Sequence, residues 1–397
     1  MWEDYEEARA DKPYTWVVFI FILLFLSSIF IFRPQIGPRN TNAVPQTTQA
    51  AVVSMLNEVS HGRPLLARET ATGMWAVHST APQGRQLVRY LNAHGDELWA
   101  ETVMFTDSSM AVQGNFLAIA GIGQPRIFVY HIRHKLVSAI TAPGEVQAVS
   151  VNEQGEVLAV FTVAAAEPLA IRTEVAKYSS QGQQMWRQSL HNELPLLAAQ
   201  SADGAVNAVL NLTFGQEVGT VLNVLGRHGE TLFKAEIMGQ PLSLMVQPDG
   251  ERVVVGTQRS IVSFTKTGHK QFAYQTPGNL SALQFVGTGP HLAFAFDRRS
   301  FLDFSLQSTV AVLEENGRQL WQSRQRERVL FISAARESHD IVIGTAQSIM
   351  VYSQGGQQSL TVEHAFGANY KGVAVGANQY FLLNGDGQVV QVRPEGK

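Results

Sequence analysis

The chain has 397 residues, 45% of them hydrophobic and 16% charged, with a formal net charge of −3 and no cysteine. Such apolar content supports a large buried core and excludes a disordered chain, while the near-neutral balance gives no basic face for nucleic acid. Without cysteine, disulfides and thiolate metal sites are excluded, and the redox compartment stays open.

Residues 1–13 form a short tail holding Glu3, Asp4, Glu6, Glu7 and Asp11. Tyr14–Phe32 carries no charge, and its 19 residues as a helix span about 28 Å, close to the hydrocarbon thickness of a bilayer. Tyr14 and Trp16 stand where an interfacial aromatic belt would be. A cleaved signal peptide would have a shorter apolar core and a small-residue cleavage site, whereas IFIFRPQ follows here directly. The expectation is a single uncleaved transmembrane helix over 14–32. Arg9 and Lys12 on one flank balance Arg33 and Arg39 on the other, so charge does not set orientation. A short tail kept inside while a large domain crosses is the commoner arrangement, which puts the folded domain on the extracytoplasmic side. Residues 33–49, with Pro38 and Pro45, read as a linker.

Beyond the linker one unit recurs. LNAHGDELWA (Leu91–Ala100), YSSQGQQMWR (Tyr178–Arg187), LGRHGETLFK (Leu225–Lys234), FTKTGHKQFA (Phe264–Ala273), LEENGRQLWQ (Leu313–Gln322) and YSQGGQQSLT (Tyr352–Thr361) each join two strands through a glycine turn. Four positions after each glycine stands a large apolar residue: Gly95 with Trp99, Gly182 with Trp186, Gly229 with Phe233, Gly268 with Phe272, Gly317 with Trp321, and Gly356 with Leu360. The glycines step by 47, 39, 49 and 39 residues from Gly182 to Gly356, and YHIRHKLVS, with His134 in the glycine's place, fills the double interval after Gly95. A period of roughly 40–50 residues made of short strands and turns predicts a β-propeller. The fold class is therefore all-β, preceded by one transmembrane helix.

The blades divide as 64–103, 105–142, 146–190, 194–237, 242–276, 280–324 and 329–363, with an eighth beginning at Lys371 and ending before its outer strand. An open ring would leave an unpaired edge, a liability that folds remove. Ala50–Leu56 is the candidate donor, so residues 50–397 are expected to form an eight-bladed propeller closed by an N-terminal strand; seven blades with an irregular end is the alternative.

The Gly-x-x-Leu/Met-Trp endings resemble those of quinoprotein-like (PQQ-like) propellers more than WD repeats, since no copy carries Trp-Asp. The resemblance covers about Pro64 to Gly396. It implies tryptophans that dock blades together, and in the enzymatic relatives a pyrroloquinoline quinone, a calcium ion, a catalytic aspartate and often a vicinal cysteine pair. The fuller alanine-x-aspartate and Thr-Gly pattern survives only in fragments, the cysteines are absent, and Asn384-Gly385-Asp386-Gly387 reads as a hairpin turn rather than a calcium loop. No catalytic, cofactor-binding or metal residue is assigned, and no cofactor is expected.

His131 and His134 have a chelating spacing, but on a strand they would point to opposite faces unless the turn bends them. Arg298-Arg299 and the run Arg324, Arg326, Arg328 read as a solvated edge or as an interaction surface for an acidic partner or lipid headgroups. The longer repeats carry their extra residues between second and third strands, at Ala164–Thr173, Phe214–Gly219 and Asp297–Ser308, where binding loops sit on rigid scaffolds. The expected function is a non-enzymatic, membrane-tethered platform for protein partners. A sensor binding a ligand in the axial funnel is the alternative, and it requires polar side chains converging from several first strands, which AVSVN, LLAAQ and SLMVQ do not suggest.

Overall fold

Runs of β-branched residues between glycine turns make every element a short strand. The computed structural model describes residues 47–49, 51–54, 62–70, 72–80, 84–164, 172–191, 193–214, 218–299, 306–334, 339–364, 367–374, 380–384 and 386–392. The expected membrane helix at 14–32, the tail before it and most of the linker lie outside these. Among the described residues no helix is long and apolar enough to cross a membrane.

The strands are β1 (Thr47–Gln49), β2 (Ala51–Ser54), β3 (Gly62–Thr70), β4 (Gly73–Thr80), β5 (Arg85–Asn92), β6 (Glu97–Val103), β7 (Ser108–Gln113), β8 (Phe116–Gly121), β9 (Gln124–His131) and β10 (Lys135–Val151). Next come β11 (Val157–Val163), β12 (Arg172–Tyr178), β13 (Gln184–His191), β14 (Glu193–Gln200), β15 (Asn207–Phe214), β16 (Val218–Leu225), β17 (Thr231–Glu236), β18 (Pro241–Val246), β19 (Arg252–Thr257), β20 (Ser260–Thr265) and β21 (Lys270–Gln275). The chain closes with β22 (Asn279–Phe285), β23 (Leu292–Arg299), β24 (Leu306–Leu313), β25 (Gln319–Gln325), β26 (Phe331–Ala334), β27 (Ile341–Gly344), β28 (Ser348–Tyr352), β29 (Gln358–Glu363), β30 (Tyr370–Ala374), β31 (Tyr380–Asn384) and β32 (Val389–Val392).

The groups β3–β6, β14–β17, β18–β21 and β22–β25 are antiparallel four-stranded sheets in chain order. β7–β13 form one seven-stranded sheet through the long β10, whose first half pairs with β9 (Ala139↔Phe128) and whose second half pairs with β11 (Val149↔Ala159). The β26–β29 sheet gains β1, parallel to β29 (Thr48↔Val362). The end of the stretch read as linker is thus a strand. β30–β32 gains β2, antiparallel to β32 (Ala51↔Gln391).

The first strands touch in cyclic order: β3 with β7, β7 with β10, β10 with β14, then β18, β22, β26 and β30, which returns to β3. That closure is a β-propeller. Second strands are buried on both faces, so they read as continuous apolar runs; Val253, Val254 and Val255 of β19 are fully buried. Each such side chain contributes about 1.5–3 kcal/mol on burial. The cores span neighbouring sheets, as where Val224 and Phe233 pack with Val253 and Phe264.

Antiparallel order gives the ring two unlike rims. Turns between first and second and between third and fourth strands share one, the turn rim. Second-to-third hairpins and the connections between sheets share the other, the connection rim.

Candidate functional site

On the turn rim the repeated glycines do one structural job. In the copy at Gly268 the glycine N–H donates to the Thr265 carbonyl at 2.9 Å, and the Thr265 N–H donates to the His269 carbonyl at 2.8 Å. Closing that loop requires φ of +86° at Gly268, which only glycine adopts freely. The same face of the glycine is pressed against the preceding copy's aromatic. A Cβ would lie 2.9 Å from the Trp186 ring at Gly229, 2.8 Å from Phe233 at Gly268, 2.6 Å from Phe272 at Gly317 and 2.7 Å from Trp321 at Gly356.

The tryptophans add a bond that phenylalanine lacks. The Nε1–H of Trp186 donates to Arg227 O at 2.8 Å, that of Trp321 to Gln354 O at 2.7 Å and that of Trp99 to Ile132 O at 3.0 Å. Each acceptor lies two residues before the next copy's glycine position, His134 included. Gly95 and Gly182 have the same positive φ, 88° and 83°. Gly182 rests beside Ile140, and Leu360 is buried with Ile349 and Tyr370.

In the copy without glycine the turn is tighter. Lys135 pairs directly with His131 and takes φ of +56°. This bend brings His131 and His134 onto one side, with ring centroids 5.0 Å apart and nearly parallel, where an extended strand would have separated them. Stacked rings present faces rather than lone pairs to each other, and His131 Nδ1 already accepts the Arg133 N–H at 3.2 Å. Burial, then the neighbouring His134 and Arg133, hold the His131 pKa below its ordinary value.

Buried cations tie the same rim across sheets. Lys177 on β12 donates to Gly204 O at 2.7 Å and pairs with Glu156 at 3.0 Å. Desolvation lowers its pKa, and the hydrogen bond and charge of Glu156 oppose that. Arg252 on β19 donates to Gln247 Oε1 at 2.6 Å, to Glu315 O at 3.3 Å and to Pro290 O. Elsewhere on the ring, Arg89 reaches Gly387 O at 2.7 Å, and burial brings its pKa down to about 10 despite Glu97. The Asn384–Gly387 segment is a hairpin turn: Asn384 Oδ1 accepts the N–H groups of Asp386 and Gln388.

The connection rim is built otherwise. Phe214 and Val218 face each other across the β15–β16 hairpin, Met238 joins β17 to β18, and Leu242 and Leu306 open β18 and β24. All five are exposed, Met238 by 85% and Val218 by 69%. Arg298 and Arg299 end β23, paired in register with Gln307 and Leu306. Part of the Asp297–Ser308 insertion is therefore a hairpin extension, and the described ends of the Phe214–Gly219 insertion, Phe214, Val218 and Gly219, are likewise strand. Arg324 lies on β25, and Arg326 and Arg328 follow in the connection to β26. Arg328 pairs with Asp297 at 3.1 Å, whereas Arg298, Arg299, Arg324 and Arg326 are exposed and have no ion pair among the described residues. Asn211, which opens the triplet Asn211-Leu212-Thr213, is fully buried and donates to Glu193 at 2.8 Å.

The axis is more polar than the sequence suggests. A cavity of about 380 Å³ is lined by Arg68, Glu69, Gln113, Gln200, Gln284 and Ser333 among others, from five different first strands. Arg68 Nη1 donates to Gln284 Oε1 at 3.1 Å between β3 and β22, which are not adjacent in the ring. One carboxylate, Glu69, lines this cavity, and among the described residues no three His, Asp or Glu gather to hold a metal. That donor set does not fit a calcium-bound quinone.

The model of a family described as outer membrane protein assembly factor BamB matches residues 172–396, and that of a family of unknown function (DUF5711) matches 84–219. No curated protein matches the sequence. Among solved structures, a computationally designed protein, Ika8, aligns with 87% of this chain and 100% of its own (14% identity, TM-score 0.59). The C-terminal WD40 domain of Sif2 aligns over 88% and 100% (8% identity, TM-score 0.60). Sqt1 from Chaetomium thermophilum aligns over 85% and 97% (12% identity, TM-score 0.58). At these identities the likenesses establish the propeller fold alone.

Proposed function

The chain belongs to the family described as outer membrane protein assembly factor BamB, and from that premise we propose a membrane-anchored, non-enzymatic propeller that holds protein partners. The observation carrying this reading is the contrast between a ring locked along one rim and, along the other, exposed Met238 and Val218 together with exposed arginines that have no ion partner among the described residues. Exposed apolar side chains rimmed by charge mark interaction surfaces. The ring has eight blades in this reading. The division of β10 between two neighbours and the completion of β30–β32 by β2 support that count. Tyr14–Phe32 serves as the anchor, with the propeller on the extracytoplasmic side.

Protease treatment of intact and of permeabilised cells tests the location, and crosslinking of the full chain from membranes tests the role. The reading expects digestion in intact cells and a protein crosslinked through the ring. Protection until permeabilisation would overturn the location, and a ring that crosslinks to no protein would overturn the role.

The Arg68–Gln284 bridge favours a second reading, a small anionic ligand in the axial channel. A thermal shift with citrate that the R68Q variant abolishes would support it. No shift in the wild-type chain would remove it.

A further inference from the structure

We propose that the connection rim from β15 to β28 binds an extended, acidic protein segment with apolar residues among its carboxylates. This rests on the platform reading and adds to it a surface and a partner chemistry. The rim is one continuous surface, because each connection is hydrogen-bonded to the next. Gln258 N–H donates to Gln240 O at 2.9 Å, and Leu280 N–H donates to Gln258 O at 2.8 Å. Val329 N–H donates to Ser308 Oγ at 2.9 Å, and Gln347 N–H to Glu327 Oε2 at 3.2 Å.

Two kinds of side chain divide this arc. Phe214, Val218, Met238 and Leu242 form its apolar end. Arg259, Arg298, Arg299, Arg324 and Arg326 form its basic end, all exposed and unpaired among the described residues. Among the described residues no nearby acid forms an ion pair with them. Asp297 is committed to Arg328, Glu327 accepts from Gln347, and Glu236 and Glu363 lie at the ends of β17 and β29. Guanidinium groups bind carboxylates through paired parallel N–H···O bonds.

Shape decides between a peptide and a bilayer. Arg324 and Arg326 line a cleft of about 490 Å³ with Thr345, Ser348, Met350 and the two acids Glu327 and Glu363. A flat bilayer surface does not enter a cleft of this kind, whatever its charge. An extended chain enters it and places its own acids on the outer arginines. A segment of about 12 residues spans roughly 40 Å when extended.

The test pans a phage-displayed random peptide library of about that length on the purified full-length chain. Selected peptides are expected to be rich in Asp and Glu interspersed with Leu or Phe, and to bind less tightly at high salt. Their affinity should fall at least about tenfold in the double variant R298E/R299E and in M238D, a loss of about 1.4 kcal/mol. Both variants alter exposed positions, so an unchanged melting temperature certifies the fold. Selection of peptides without acidic enrichment, or affinities that neither variant changes, would overturn the proposal. So would binding to phosphatidylglycerol vesicles that the variants abolish while no peptide is selected. A crosslinked partner whose contacts map elsewhere on the ring leaves the platform reading standing and removes this surface.

Discussion

The two rims use the same residue classes for opposite ends. On the turn rim, aromatic and cationic side chains from one sheet are satisfied by the next: Trp321 by Gln354 O, Lys177 by Gly204 O, Arg252 by Glu315 O and Pro290 O. On the connection rim, Met238 and Arg298 meet solvent. A buried donor that finds an acceptor across a seam contributes to stability, because leaving it unmade is costly. An exposed arginine contributes almost nothing until a partner arrives. Stability and recognition are thus separated by rim, and substitutions on the two sides should fall into different classes.

The largest effect should come from Trp99→Ala. Trp99 is buried, meets Trp75 and Tyr130 at 5.3 and 5.8 Å and donates to Ile132 O. Removing it should cost about 3–5 kcal/mol, read by denaturant unfolding. A loss below about 1 kcal/mol, the size of a surface change, would break the assignment of the turn rim to stability. Next comes Gly317→Ala. It forces a side chain into φ of +82° and against Phe272, and should cost about 1–3 kcal/mol. Gly367, also at positive φ but with open space around its Cβ position, is the control that separates backbone strain from the aromatic contact.

Those positions were legible because the signal is local. Glycine most readily takes the positive φ a tight turn needs, and the aromatic four residues later covers the next copy's glycine, so both recur at fixed spacing. The axis was not legible. Arg68 and Gln284 sit in strands whose channel-facing and core-facing residues look alike in composition, since both faces are enclosed. The arginines of β23 were read as loop because a strand exposed on both faces at a rim loses its alternation. Thr47–Gln49 has too few residues to show any period, and its pairing with β29 is set by tertiary contact.

Glu156→Gln sharpens the contrast through pH. Lys177 has a depressed folded pKa, so below its unfolded value the unfolded chain binds more protons and stability rises with pH. That gain is complete once pH exceeds the unfolded pKa and is absent below the folded one. Removing the Glu156 charge takes away a raising influence, so the folded pKa drops further and the rising window extends to lower pH. Stability near neutrality should fall by about 1–3 kcal/mol as Lys177 loses its charged partner. An unchanged pH profile would show that the pair does not couple to folding. By contrast, R298E/R299E should leave stability within about 0.5 kcal/mol, since both residues are exposed and form no ion pair among the described residues.

The smallest effect tests the one turn that lacks glycine. If His131 and His134 stack as the Lys135 bend requires, each feels the other's charge, and His131 should titrate below 6.5 by NMR. Burial is the larger cause, so His134→Ala should raise the His131 pKa only part of the way back. The sign follows from electrostatics: a like charge removed makes protonation of the remaining ring easier. On unfolding the depression is lost, so His131 contributes stability that is present above 6.5 and disappears as pH falls through its folded pKa. His134→Ala should shrink that contribution without touching Trp99, whose acceptor is the Ile132 carbonyl. A His131 pKa unmoved by the substitution would mean the rings are apart in solution. The bend would then be held without the ring contact, by the Trp99 bond to Ile132 O and the Ile132 N–H bond to Asn115 O, and this turn would be less firmly locked than its glycine counterparts.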